Sequence, residues 1–404
     1  MKNAIVLVVD RLGTGYLGPY GNTWIDTPNF NRLAAESLLF EFAMADSPHL
    51  PLLYRSYWKG LHAMSDDTAA DSLPESLVAT EIHTALVTDD PVVAELEWTD
   101  AFDERITLSP TPAVKTAEEV GQTQMAHLFA SVVDWLADAP EPFFLWVHSR
   151  GMAGPWDAPL DFRNQFADEE DPAPPDMVTP PVIRLEADCD PDDLLGLQQA
   201  YAGQVRLLDM CIGVLLDAAQ AMPGRENTLL AVTSPRGYPL GEHGRVGQCD
   251  ETLYGELLNV PCFLRFPDGA GAAARSQYLA QPPDVFPTLL DWLNLSADDK
   301  SVWGASLIPA VDDIRPSQRD RACCVSEGHS AIRTPAWLLE RHPDSKRELF
   351  AKPGDRWEAN EVADRCRETA DELETVLDEF QEVVRSGDST GLTPLSRVLI
   401  EGLE

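Results

Sequence analysis

Short apolar runs alternate with longer amphipathic stretches along the first three-quarters of the chain. Ile5–Val9 is uniformly apolar, and Thr84–Thr88, Phe143–His148 (FFLWVH), Leu229–Ser234 and Cys262–Phe266 are runs of the same kind. Their length suits strands, and the unbroken apolar character of FFLWVH predicts a strand buried on both faces. Between them, apolar residues recur at helical spacing over Thr123–Ala137, Leu194–Ala221 and Val285–Leu293. Thr27–Glu36 reads as a further helix, with Pro28 in the first turn where its missing N–H costs nothing. Strand–helix alternation predicts a mostly parallel sheet with helices on both faces, a three-layer α/β/α sandwich.

Two stretches break this rhythm. Between Phe166 and Asp193 the chain runs through DEEDPAPPDMVTPP and DCDPDD, where proline and like charge both oppose regular structure, so a long surface excursion is expected. After about residue 300 the texture changes to strand-like pieces at Ala322–Ser326, Ala331–Thr334 and Ala336–Leu339. A helix from about Glu361 to Val384, acidic on its outer face, follows. The expected organisation is therefore an α/β domain over 1–300 and a small C-terminal α+β subdomain over 301–404.

Composition narrows the function classes. Thirty Lys and Arg against 67 Asp and Glu give a formal net charge of −37, which repels phosphate backbones and anionic lipid and argues against nucleic acid and membrane partners. The N-terminal apolar run, Ala4–Val9, is too short for a signal-peptide core or a membrane span and fits a buried first strand. The seven cysteines (Cys189, Cys211, Cys249, Cys262, Cys323, Cys324, Cys366) include no C-x-x-C pair. An odd count without such a pair suits a reduced, cytoplasmic protein without a disulfide framework or zinc ribbon.

The segments that should end the strands carry motifs. IVLVVDRLGTGYLGPYGN with DTPNFNRLAAESLLFEFAMA, then PFFLWVH with GPW, NTLLAVTSPRGYPLGEHG, LYGELLNVPCFLRFPDG, PDVFPTLLDWL, IRTPAWLL and ELFAKPGDRWEAN occur in that order. The ordered set resembles the sulfatase family of the alkaline-phosphatase-like superfamily over essentially the whole chain. The resemblance implies that fold and, in active members, an ester-hydrolysing site with four parts. A nucleophile made from Cys or Ser attacks the ester, and a divalent ion on hard oxygen ligands activates it. Cationic side chains neutralise the nonbridging oxygens, and a histidine assists the leaving group.

Position by position, this chain departs from that pattern. Asp10 is kept, but Arg11 stands where the family has a second aspartate. Between Ser47-Pro48 and Gly60 the nucleophile tract aligns without a gap, placing Leu50 at the Cys/Ser position and Tyr54 at the motif's arginine. A one-residue slip would recover Arg55 but still no Cys or Ser. Asp89 follows Thr88 where many members have a lysine, Ala153 falls at the substrate histidine, and Pro235-Arg236 replaces an aspartate and its His/Asn neighbour. Gln248 sits where a lysine follows GEHG.

These departures from the family pattern lead us to expect no catalytic residue, no metal and no cofactor, and a pseudoenzyme that binds or scaffolds an unknown protein or small molecule. The alternative is a sulfuric- or phosphoric-ester hydrolase with a rebuilt site recruiting Asp10, His148, His243 and Ser47 or Ser56. His148 and His243 otherwise read as structural histidines, and Asp10 as either a retained ligand or an ion-pair partner. The family's three carboxylates and divalent ion sum to −1, whereas Asp10, Arg11 and Arg236 sum to +1. Either an arginine reaches into the old metal position and pairs with Asp10, or both arginines swing out to solvent. Leu50 is expected to be packed rather than presented, since leucine gains about 1.5–3 kcal/mol from full burial.

Overall fold

The computed structural model describes residues 2–67, 70–110, 113–247, 251–296, 302–313, 319–387 and 391–403. The chain packs as two compact units, one built from residues 1–39, 77–249 and 261–274, the other from 40–76, 250–260 and 275–404. The division is therefore not a single cut near residue 300. Two internal segments, 40–76 and 250–260, group with the C-terminal part. Contiguity in sequence concealed this, because a segment joins whichever core its apolar face can reach.

The first unit is organised on a sheet with strands β1 (Asn3–Val9), β2 (Leu38–Phe40), β3 (His83–Thr88), β4 (Glu104–Thr107), β5 (Phe143–Ser149), β6 (Thr228–Thr233) and β7 (Cys262–Arg265). Their spatial order is β2-β7-β6-β1-β5-β3-β4. β1 pairs in parallel with β5 and β6, β3 pairs in parallel with β5 and β4, and β7 runs antiparallel to β6 and to β2. The central strands β1 and β5 are buried along their whole length, as unbroken apolar runs require.

Helices cover the sheet. Gln124–Ala137 is capped by Thr123, whose side chain accepts from the Ala126 N–H. The 31-residue helix Pro191–Ala221 starts with Asp190 as its cap and Pro191 in the first turn. It buries Tyr201, Val205, Leu208, Ile212 and Leu215 in the same core as Ile5, Leu7, Val9, Leu145 and Val232. Tyr201 belongs to an aromatic cluster with Tyr16, Trp156 and Tyr238, at centroid separations of 4.5, 5.8 and 5.4 Å.

The acidic excursion is irregular over most of its length, as expected, with only Ile183–Arg184 forming a short strand against Arg245–Val246. It is nonetheless anchored. The fully buried Arg163 donates to Trp156 O (2.5 Å), Met177 O (2.8 Å) and Pro175 O, satisfying carbonyls that an irregular loop cannot pair with itself.

The second unit holds an antiparallel sheet of β8 (Ala322–Ser326), β9 (His329–Arg333), β10 (Trp337–Arg341) and β11 (Arg347–Ala351), in that spatial order. Alternation puts Cys323, Ile332, Leu339 and Leu349 on one face, where they form a core with Leu373, Leu377 and Phe380 of the helix Arg367–Ser386. The helix Leu50–Lys59 also lies in this unit. Among the described residues no helix is long and apolar enough to cross a membrane.

Candidate functional site at the strand ends

In a parallel sheet, side chains converge where adjacent strands end on the same side. The registers Val8↔His148, Val8↔Thr233 and Thr88↔His148 bring the carboxyl ends of β6, β1, β5 and β3 into line. The next residues are Asp10 and Arg11 after β1, Ser234–Arg236 after β6, Asp89 and Asp90 after β3, and Arg150 after β5. Backbone bonds fix these turns. Asp10 N–H donates to Ser149 O at 2.9 Å, and Met152 N–H donates to Asp10 O at 2.9 Å. Gly151 adopts φ +51°, and a Cβ there would lie 2.5 Å from Asp10 O, so glycine is required at this crossing. Leu12 N–H donates to Ser234 Oγ (3.2 Å), whose hydroxyl donates to Arg236 O (2.7 Å).

The centre of the arrangement is an ion pair. Arg236 Nε donates to Asp10 Oδ1 and Arg236 Nη2 to Asp10 Oδ2, both at 2.9 Å, the parallel fork that guanidinium and carboxylate geometry favours. Asp10 is wholly buried and Arg236 is 8% exposed. Burial alone would push the Asp10 carboxyl up; the charge and hydrogen bonds of Arg236, then the charges of Arg11 and His148, more than reverse this and hold it below its ordinary value. Of the two expectations for the arginines, pairing with Asp10 is the one realised, and Arg236 supplies the fork. Arg11 is fully buried at φ 62°, a left-handed conformation uncommon for residues other than glycine, Asn and Asp. Its carbonyl accepts from the Tyr201 hydroxyl at 2.9 Å, which ties the turn to the aromatic cluster.

Around the pair, His148 is fully buried, with Nε2 3.9 Å from Asp90 Oδ2. Burial lowers the His148 pKa, opposed by the charges of Asp90 and Asp10. Asp90 Oδ1 caps the helical turn Pro91–Ala94 by accepting from Val92 N–H (2.7 Å) and Val93 N–H (3.2 Å). Asp89 accepts from the Arg150 N–H at 2.7 Å, and burial pushes its carboxyl up to about 6. Ala153 lies half-buried in the turn Gly151–Ala153, and Pro235 is buried.

Asp10, Arg11, Asp89, Ala153, Pro235 and Arg236 are thus all on the first unit's strand-end turns. Leu50 and Tyr54 belong to the second unit. There Leu50 is 6% exposed at the start of its helix, packed as expected, and Tyr54 is fully buried against Trp58 at 4.7 Å between centroids. Gln248 lies outside the described residues. Asp90 is the residue that sequence reasoning missed; an Asp before a proline has the signature of a helix cap, and that role is the one it fills.

Residues 2–295 match the family model described as Sulfatase. The chain belongs to the sulfatase family. It is 23% identical to iduronate 2-sulfatase of Mus musculus over 87% of this chain and 76% of that protein. It is 30% identical to N-acetylglucosamine-6-O-sulfatase of Bacteroides thetaiotaomicron, over 28% of this chain and 20% of that protein. Among solved structures, the phosphonate monoester hydrolase of Agrobacterium radiobacter superposes with a TM-score of 0.77 at 18% identity, covering 98% of both chains. A structure in complex with its substrate D-glucosamine-2-N,6-O-disulfate gives 0.78 at 18% identity, over 96% of this chain and 99% of that one. These likenesses establish the alkaline-phosphatase-like fold.

The sulfatase fold implies a divalent ion at the end of β1, but the residues present here do not fit one. Asp10, Asp90 and His148 each offer a ligand atom, all within 4.8 Å of one another. Both Asp10 oxygens, however, are bonded to Arg236, and Asp90 Oδ1 is committed to its cap. An ion such as calcium takes six to eight oxygens, and here it would face a guanidinium across the one carboxylate it shares.

Proposed function

We propose that this chain is a catalytically silent member of the sulfatase family that acts by binding or scaffolding rather than by ester turnover. The Arg236 fork on Asp10 carries the reading: an organic cation neutralises the carboxylate that the family uses to hold an inorganic one. The fork removes the Lewis acid, and Leu50 offers no nucleophilic atom in its place. Each loss acts on the transition state, and loss of a catalytic nucleophile alone costs roughly six decades in rate. The net charge of −37 favours a partner that is neither nucleic acid nor anionic membrane. A reduced, cytoplasmic setting accords with the described cysteines, among which there is no disulfide.

The test is turnover of aryl sulfates, aryl phosphates and aryl phosphonate monoesters by the full chain, with and without added calcium. No hydrolysis above blank is expected. Hydrolysis that follows the protein through purification and vanishes in Asp10→Ala would overturn the proposal and favour a rebuilt hydrolytic site.

A further inference from the structure

The face of the second unit's antiparallel sheet opposite its core carries a polar strip at one end. Register and period-two alternation assemble it. His329 on β9 lies opposite residue 342 just past β10, following the pairing of Ser330 with Arg341. Ala331, Glu340 and Glu348 pair across the next row. The small Ala331 leaves the space between strands to the longer side chains. His329 and His342 meet edge-to-face, with ring centroids 4.9 Å apart. His329 Nδ1 lies 3.1 Å from Glu340 Oε1, and His342 Nε2 lies 3.1 Å from Glu348 Oε2.

We propose that His329, Glu340 and His342 form a binding site for a divalent transition cation of the zinc type. One ligand atom from each residue lies within 4.8 Å of the others, a spacing that allows one ion between them. Two imidazoles and one carboxylate are the donor set that borderline cations such as zinc prefer over calcium or magnesium, which take oxygen ligands.

A second observation points to a ligand. The Glu340 side chain is 1% exposed, and its Oε2 accepts no hydrogen bond among the described residues. Its Oε1 already receives the Leu253 N–H at 3.1 Å. An orphaned carboxylate oxygen at such depth is costly unless a cation reaches it. A metal ion held by the two imidazoles would reach that oxygen.

Charge favours a cation as well. The Glu348 and Glu256 carboxylates add negative charge near Glu340. Glu348 fixes the His342 ring from behind and is itself held by the Tyr254 hydroxyl and Lys346 Nζ, both at 2.6 Å. An outer carboxylate orienting a metal-binding imidazole is the usual support for such a site. The histidine side chains are 12% and 15% exposed, so an ion enters from solvent while Glu340 forms the floor.

The experiment loads chelator-treated full-length protein with Zn²⁺, follows binding by calorimetry and elemental analysis, and records X-ray absorption on the loaded protein. One equivalent is expected, with nitrogen and oxygen donors at about 2.0–2.1 Å and imidazole scattering. Affinity should fall by at least tenfold in His329→Gln, in His342→Gln and in Glu340→Gln, each checked for folding by circular dichroism. His148→Ala, which alters the strand-end cluster of the first unit, should bind as the parent does. Failure of the parent protein to take up zinc overturns the proposal. So does sulfur scattering at about 2.3 Å, which marks cysteine ligation, or full zinc binding retained by folded His329→Gln/His342→Gln. The absorption spectrum of the parent decides the matter even where a variant does not fold.

Discussion

Arg236 grips Asp10 with two parallel hydrogen bonds of 2.9 Å each, and the pair closes the end of β1. Breaking a buried pair by removing one partner leaves a charge without compensation, at a cost of about 3–5 kcal/mol. Asp10→Ala and Arg236→Ala should each destabilise the chain by that amount. Their combination should cost clearly less than the sum, because the second truncation removes the stranded charge left by the first. Urea unfolding of the three variants checks this, and additive losses would show that the fork contributes no coupling.

The same pair sets an acid limb. The folded Asp10 pKa lies below the ordinary 3.8, so its stabilisation is present above that value and is lost as pH falls through the folded one. Asp10→Asn cannot titrate. Its unfolding free energy should therefore fall less steeply than the parent's below pH ~3.8, as measured by urea midpoints across an acid series. Parallel acid limbs for the two proteins would contradict the assignment.

Leu50, at the start of its helix, is a packing residue. At 6% exposure, Leu50→Ala removes apolar contact and leaves a cavity, worth about 2–5 kcal/mol. Leu50→Cys or Leu50→Ser should likewise destabilise and, on the proposed silent reading, should not create turnover. Thermal unfolding and an aryl-sulfate assay measure the two effects on one preparation.

Much of this was legible in the sequence. Apolar runs located β1, β3, β5 and β6 to within a residue or two, because strands buried on both faces have no other pattern available. The Arg236 fork on Asp10 was legible as one of two outcomes for the strand-end arginines. Other features were not. β7 runs antiparallel, which depends on where the preceding loop lands rather than on hydropathy. Residues 40–76 joined the second unit through packing faces that a linear reading does not compare. His329, Glu340 and His342 looked like scattered polar residues until the β9–β10 register brought them to one face. The alternation His329-x-Ala331 and Glu340-x-His342 was the only sequence signal available.

Arg163 should control the acidic excursion without touching the strand ends. Its guanidinium, pulled down to about 10 by burial, serves the carbonyls of Trp156, Met177 and Pro175. Arg163→Ala leaves those carbonyls without a donor and loosens the first half of a proline-rich, like-charged segment, whose later part stays held by the Tyr238 hydroxyl on Pro181 O and by the Ile183–Arg184 strand. Limited proteolysis should cut within 166–193 faster in the variant, while zinc uptake stays as in the parent. Equal cleavage rates would mean that other contacts anchor the loop.

Reversing the charges at the end of β1 gives the most direct check on the proposed exclusion of an ion by Arg236. Arg11→Asp, Pro235→Asp and Arg236→Asn together add two carboxylates and a neutral ligand beside Asp10, three carboxylates in all. Aspartate tolerates the left-handed backbone at position 11 better than most residues, so the turn itself should survive. Without an ion, the carboxylates repel one another and the fork is gone, so the apo variant should be less stable than the parent. Calcium should then bind and restore stability, by about 2.7 kcal/mol once its concentration is a hundred times the dissociation constant. The parent should show no such shift, because a guanidinium already fills the role. Even with calcium bound, the variant should hydrolyse no ester, since Leu50 supplies no attacking atom. Calorimetric calcium titration and thermal unfolding of both proteins decide the point. If the parent binds calcium as tightly as the variant, the fork does not exclude the ion and the silent reading fails.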